Sequence, residues 1–381
     1  MNVSRFPISR RRFSVLAGAG LAGGFGIARA QDSSRVLLGM SAPFTGPSAE
    51  QGIQFHAGAK ALFDRLNAKG GVNGRQIEIR PLDDGYEPDR CAANTERLIK
   101  DDVLALFGYF GTVTSLAAFP LADAARLPFL APLSGAPVLR QPFRRNVFHL
   151  RASYDEETAR IVKDLVELNM ERIGVFYQND PYGEAGLAGV TKALAGHKLK
   201  PFATGTVERN SLDVDSAVNA LAKSGAQAIV QVGLYKPCAE FIRKARKAGY
   251  AGPCYNLSPV GTTALIEELG KQAAGVMVSQ VTPSPYSMSK PITRDFMDAI
   301  AAGGNKVQAN YTSMEGFLAA KMFVEGLRRI NGKPTREGLI TALESVNEDL
   351  GGFRIKFGAD NHAASSFVEL SMLTADGRVR V

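Results

Sequence analysis

An α/β fold of two lobes, each a parallel sheet with helices on both faces, is predicted by three observations. From Arg35 onward, short apolar runs alternate with charged segments of helical period, the signature of βα units feeding a parallel sheet. The 351 residues after position 30 exceed what one hydrophobic core holds and suit two domains. The alternation then stops, and long helical patterns with two last strands follow, as expected of a chain that returns to finish both lobes.

The chain opens on an export label. Arg10, Arg11 and Arg12 precede a thin apolar stretch, Val15 to Ile27, which ends at the small-x-small pattern Ala28-Arg29-Ala30. Residues 1–30 resemble a twin-arginine signal peptide, which implies export of a folded protein. A stretch of about 13 apolar residues diluted by Gly18, Gly20, Gly23, Gly24 and Gly26 is too short to span a bilayer, which needs roughly 20. The expectation is cleavage and a soluble periplasmic product. Gly18, Gly20 and Gly23 spell G-x-G-x-x-G, but no strand precedes them, so no dinucleotide site is read there.

Without residues 1–30 the formal charge drops from +8 to +3, because the label's five arginines leave 40 basic against 37 acidic side chains. No basic stripe argues for nucleic acid. Cys91, Cys238 and Cys254 are an odd count for an oxidising compartment, so at least one is unpaired or bridges to another chain, and small buried hydrophobe is the expected role.

Strands are expected at Val36–Ser41, Gln76–Leu82, Leu104–Gly108, Pro128–Ala131, Ile173–Gln178, Pro201–Val207, Ala228–Val232, Cys254–Leu257 and Val276–Gln280. Helices fall between them, near 49–68, 88–101, 115–125, 155–169, 183–196, 213–224, 237–248 and 262–269. Pro88-Asp89 and Asp180-Pro181 are start signals, and Gly70-Gly71, Gly225 and Gly249 follow helix ends. Helices near 289–302, 311–330 and 336–345 come next, and strands at Phe353–Phe357 and Phe367–Leu373 close the chain. The first lobe is expected over 31–150 plus 283–350 and the second over 151–282 plus 351–381. Crossings are placed near 150–153, 279–283 and 350–354, with Gly351-Gly352 either a hinge or a plain turn.

Parallel sheets bind ligands beyond the carboxyl ends of their strands, so two facing lobes would share one cleft. The strand ends carry Gly111-Thr112-Val113-Thr114-Ser115, Ser134-Gly135, Tyr182-Gly183, Gly233-Leu234-Tyr235 and Ser258. Hydroxyls and free amides where a helix begins would receive a carboxylate, although the same hydroxyls also suit capping of their own helix. Tyr182 and Tyr235 each offer a flat apolar face and one hydroxyl. His56, His149, His197 and His362 have no metal-ligand spacing, and no phosphate loop or nucleophile elbow occurs. A hydrolase would need a cleft Ser or Thr with His149 or His56 as base, and no nucleophile–base–orienter spacing supports it. No cofactor is implied. Asp83-Asp84 is an acidic pair at a strand end whose members point apart, which suits loop capping or an interlobe contact better than paired acid/base work.

Jointly, Thr45-Gly46-Pro47 with Gly52 and Gly58, Leu66 to Gly74, Asp83-Asp84, Pro132 to Ala136, Tyr182-Gly183-Glu184 and Val260-Gly261 resemble the type I periplasmic binding proteins of the leucine/isoleucine/valine-binding branch, across nearly the whole exported chain. The resemblance implies two Rossmann-like lobes on a three-segment hinge, a monomer, no enzymatic activity, and a small-molecule solute passed to an ABC transporter permease. A membrane signalling receptor is the alternative partner. It implies ligand groups at Gln51, Thr112, Ser134 and Gly135 in one lobe, and at Tyr182, at Leu234 or Tyr235, and at Ser258 in the other. Amino-acid-binding members place an acidic side chain near the Ser258 position, whereas Asn256-Leu257-Ser258-Pro259 offers none. The expected ligand is therefore a small carboxylate or amide, amino-acid-like or aromatic, rather than a simple branched-chain amino acid.

Overall fold

The computed structural model describes Met1, residues 34–304 and residues 307–381. The export label falls outside the described residues. Apolar runs of the first part pair as β1 (Arg35–Ala42), β2 (Gln76–Asp83), β3 (Ala105–Phe107), β4 (Phe129–Leu130) and β5 (Val147–Phe148), all parallel, in the order β2-β1-β3-β4-β5. Helices α1 (Ala49–Asn67), α2 (Pro88–Lys100) and α3 (Thr112–Ala124) connect them. Strands β3, β4 and β5 are buried on both faces because helices cover both, whereas the edge strand β2 is partly exposed.

The second sheet takes β6 (Ile173–Gln178), β7 (Ala203–Val207), β8 (Ala228–Val232), β9 (Cys254–Asn256) and β10 (Met277–Gln280), interleaved with α4 (Tyr154–Glu167), α5 (Pro181–Ala195), α6 (Asp215–Ala222), α7 (Tyr235–Lys247) and α8 (Thr262–Leu269). The chain then leaves for α9 (Pro291–Ala302), α10 (Tyr311–Arg328) and α11 (Arg336–Glu344), a hairpin of β11 (Asn347–Asp349) and β12 (Arg354–Lys356), and finally β13 (Glu369–Leu373) and β14 (Val379–Arg380). The last two add antiparallel to the second sheet, whose order is β14-β13-β10-β9-β8-β6-β7. No helix among the described residues is long and apolar enough to cross a membrane.

Local signals set the helix starts. Ser153 and Glu156 close a capping box on α4, and Asp180 accepts from the N–H groups of Tyr182 and Gly183 ahead of Pro181 in α5. Helix α3 begins at Thr112, earlier than the 115 expected, because Gly111 at φ 88° turns the chain directly off the strand.

The third crossing differs from expectation. Gly351 and Gly352, at φ 95° and 96°, are the turn of the β11–β12 hairpin, and their N–H groups donate to Asp349. Beyond the hairpin the chain stays beside β5: His149 N–H donates to His362 O, and Ala364 N–H to His149 O. The passage to β13 therefore falls between Ala364 and Glu369, not at 350–354. Strands β5, β11 and β14 were absent from the sequence reading, since two- or three-residue pairings carry no periodicity.

Helix α10 returns to lie against α1, and two glycines permit the approach. A Cβ on Gly58 would sit 1.8 Å from Ser313 O, and one on Gly316 would sit 1.9 Å from Phe55 O. In a free helix Gly→Ala stabilises; here Gly58→Ala is expected to destabilise by about 1–3 kcal/mol, read as a lower urea midpoint with an unchanged m-value.

Candidate functional site

In the first sheet the strand order reverses between β1 and β3, and in the second between β6 and β8. Such switch points leave crevices at the carboxyl ends, and loops from those ends of both sheets meet across the interlobe cleft. Thr112 follows β3, Ser134 and Gly135 follow β4, Tyr182 follows β6, Tyr235 follows β8 and Ser258 follows β9.

Thr112 and Ser134, both fully buried, share a 2.8 Å hydroxyl–hydroxyl hydrogen bond. Gly111 provides no side-chain cap, so the first-turn amides of α3 stay open beside this pair. Thr114 and Ser115 serve their own helix instead, donating to the carbonyls of Phe110 and Gly111. Gly135 has a packing duty: a Cβ there would lie 2.6 Å from the Tyr154 ring and 3.0 Å from Ala152 O.

Three buried rings stand around the hydroxyl pair. Tyr154 and Tyr182 lie 5.5 Å apart, the Tyr154 phenol reaches the Ser134 side chain, and a Cβ on Gly111 would strike Tyr86 at 2.4 Å. Burial pushes all three phenols above their ordinary range. The Tyr182 hydroxyl donates to Gly233 O at 3.3 Å. Gln51 and Tyr235 bridge the lobes directly: Gln51 Nε2 donates to Val260 O at 2.9 Å, and the Tyr235 hydroxyl meets the Glu50 backbone.

The carboxylate missing from the Ser258 segment comes from another element. Glu157 of α4, fully buried, accepts from Ser258 N–H at 2.8 Å, from Ser258 Oγ at 3.0 Å and from Ser279 Oγ at 2.6 Å. This corrects the expectation that no acidic group stands there. Burial pushes the Glu157 carboxyl up, against the pull of Arg151 and the hydroxyls. Arg151 forks onto Glu315 of α10 at 2.8 and 2.9 Å, and its Nη1 is buried without a partner. Arg140 also bears electrostatically on Glu157 and Arg151.

Sequence reasoning missed Glu157, Tyr86 and Tyr154. A usable signal existed for Glu157: it lies on the buried stripe Tyr154, Glu157, Thr158, Ile161, Val162, Leu165 of α4, where an acid is out of place. Neither histidine named as a base takes part. His56 packs edge-on to Phe44, and His149 lies beyond β5 against Leu139. The three cysteines are buried and free, and burial pushes every thiol up.

Asp83 and Asp84 do part. Asp83 accepts from Phe44 N–H, Gly85 N–H, Thr45 and Arg90, and although burial opposes them these bonds bring its carboxyl down to about 2. Asp84, fully buried, accepts from Ser41 Oγ at 2.7 Å and from Tyr86 N–H at 2.8 Å. The latter bond holds Tyr86 at φ 65°, a left-handed conformation that costs of order 1–3 kcal/mol for a non-glycine residue.

Paired α/β lobes meeting over hydroxyls, amides, rings and one buried carboxylate define the class of two-lobed solute receptors. The chain belongs to the periplasmic binding protein family, whose model matches residues 35–378, and its relatives place it among the type I, leucine/isoleucine/valine-binding-like members. A solved protein from Rhodopirellula baltica SH 1, described as a possible leucine/isoleucine/valine-binding protein, superposes with a TM-score of 0.88 at 34% identity over 92% of this chain and 97% of its own. Leu/Ile/Val-binding protein homolog 7 of Brucella melitensis is 23% identical over 91% of each chain. An amino acid binding protein of Pseudomonas aeruginosa is 28% identical over 56% of this chain, a match spanning 58% of that relative.

Burial pushes the Asp84 carboxyl up to about 6. A carboxyl raised by folding contributes stability that is complete below its usual 3.8 and is lost as pH rises through about 6. Across that window wild type should therefore lose of order 2–3 kcal/mol relative to Asp84→Asn, measured by urea unfolding at stepped pH.

Proposed function

We propose that this chain is the periplasmic solute-binding component of an ABC importer and that it takes an α-amino acid with an apolar or aromatic side chain. The carrying observation is the set of partners at Glu157. Arg151 is forked onto Glu315, while Glu157 accepts from the neutral Ser258 and Ser279, so a ligand ammonium would give Glu157 a hydrogen-bonded cation. Across the cleft, the open amides of α3 and the Thr112–Ser134 hydroxyls suit the ligand carboxylate, as a helix N-terminus favours an anion. Tyr86, Tyr154 and Tyr182 give its side chain an apolar wall. The names of the relatives, amino acid binding and Leu/Ile/Val-binding, agree with this class.

Gln51 and Tyr235 act in this reading as bridges between lobes, and Gly135 as a spacer for the crossing strand, while Thr112, Ser134, Tyr182 and the Ser258–Glu157 pair face the solute. The ligand shifts the population toward the closed state by touching both lobes. In this reading the solute leaves unchanged; His56 and His149 are engaged elsewhere, against Phe44 and Leu139.

Calorimetric titration with leucine, valine and phenylalanine, each set beside its deaminated acid, tests the ligand class. Amino acids should bind and Glu157→Gln should weaken them by at least about tenfold, roughly 1.4 kcal/mol, while Thr112→Val weakens both series. Equal binding of the deaminated acids to wild type would overturn the assignment.

A further inference from the structure

We propose that Glu87 with Arg209 and Asn210 forms a closure clasp, a set of contacts that touches no solute yet sets how long one is held. The proposal rests on the solute-receptor reading above. Glu87 Oε2 accepts from Arg209 Nη2 at 2.9 Å, and its Oε1 accepts from Asn210 Nδ2 at 2.7 Å. Asn210 also donates to Gly85 O at 3.4 Å. Glu87 lies in the loop after β2, and Arg209 and Asn210 lie in the loop after β7, so every one of these bonds crosses between lobes.

Topology gives the contact its leverage. The crossings that serve as hinge leave from β5 at one edge of the first sheet and from β10 and β13 on the corresponding side of the second. Strands β2 and β7 are the opposite edges. A rotation about the crossings separates the lobes furthest along β2 and β7, so the clasp is broken by a small opening that would barely disturb contacts near the hinge. Its bonds exist in the closed state alone, and a contact unique to one state shifts the equilibrium by its full differential energy.

Both jaws are built in advance. Gly85 at φ 57° and Tyr86 at φ 65° turn the first loop ahead of Glu87, fixed by Asp83 accepting from Gly85 N–H and by Asp84 accepting from Tyr86 N–H. Glu87 N–H donates to Asp84 O at 3.0 Å. On the second lobe Asn210 holds φ 59° and Ser211 N–H donates to Glu208 O. Little ordering entropy is then lost on contact. Glu87 and Arg209 are 43% and 28% exposed, which leaves the pair open to screening by salt.

The test compares wild type, Glu87→Ala, Arg209→Ala and the double variant, with thermal unfolding confirming that each folds. Ligand-free small-angle scattering at low salt should give a larger radius of gyration for all three variants than for wild type, with high salt bringing wild type toward them. With L-leucine as probe, Glu87→Ala should weaken binding about five-fold, chiefly through faster dissociation, and the double variant should lose no more than the single ones. Equal radii in all four proteins, or additive losses in the double variant, would overturn the clasp. Failure of leucine to bind wild type would count against the proposed ligand class, while the scattering would still decide the clasp.

Discussion

The fork between Arg151 and Glu315 is the contact on which the interlobe geometry depends. Arg151 sits on the first crossing and Glu315 on α10, and both side chains are nearly inaccessible to water. Burying such ions is costly, and removing one partner typically costs about 3–5 kcal/mol because the other is left uncompensated. The pair therefore specifies an arrangement more than it adds stability: only one seating of α10 against the crossing satisfies both charges. Arg140 reinforces it by donating to the carbonyls of Arg151 and Ala152, which keeps that segment beside Gly135. The Arg151 guanidinium also faces Glu157, so the first crossing and the cleft share one electrostatic unit.

This sharing explains how occupancy could be felt at the hinge without a relay of moving parts. Under the proposed assignment, a ligand ammonium at Glu157 would change the field at Arg151, which belongs to the first crossing. The opposite edge of the cleft is governed by different physics, because the contacts between the loops after β2 and β7 are half-exposed and sensitive to salt.

Much of the fold was legible from the chain alone, because alternating apolar runs and helical periods are local. Asp180-Pro181 opened a helix and Gly225 and Gly249 followed two others for reasons contained within a few residues. The hydroxyls of Thr112 and Ser134 were likewise readable as strand-end groups. Gln51 and Gly135 were not readable in their actual duties, since the one reaches across to Val260 and the other makes room for Tyr154. Of the two readings left open for Gly351-Gly352 the plain turn holds, and the crossing expected near 350–354 was misplaced because β11, too short to announce itself, hid the hairpin.

What the sequence determined by itself is the succession of strands and helices, the strand ends that carry hydroxyls, amides and rings, and the resemblance that joins them into one family pattern. These rest on interactions between near neighbours, which a linear text records. The tertiary structure alone decided that Glu157 supplies the carboxylate beside Ser258, that Arg151 finds Glu315 across 164 positions, and that Glu87 meets Arg209 across 122. Each joins a charged side chain to a partner far away in the chain, and that partner is chosen by where packing leaves it, a choice that no local pattern encodes.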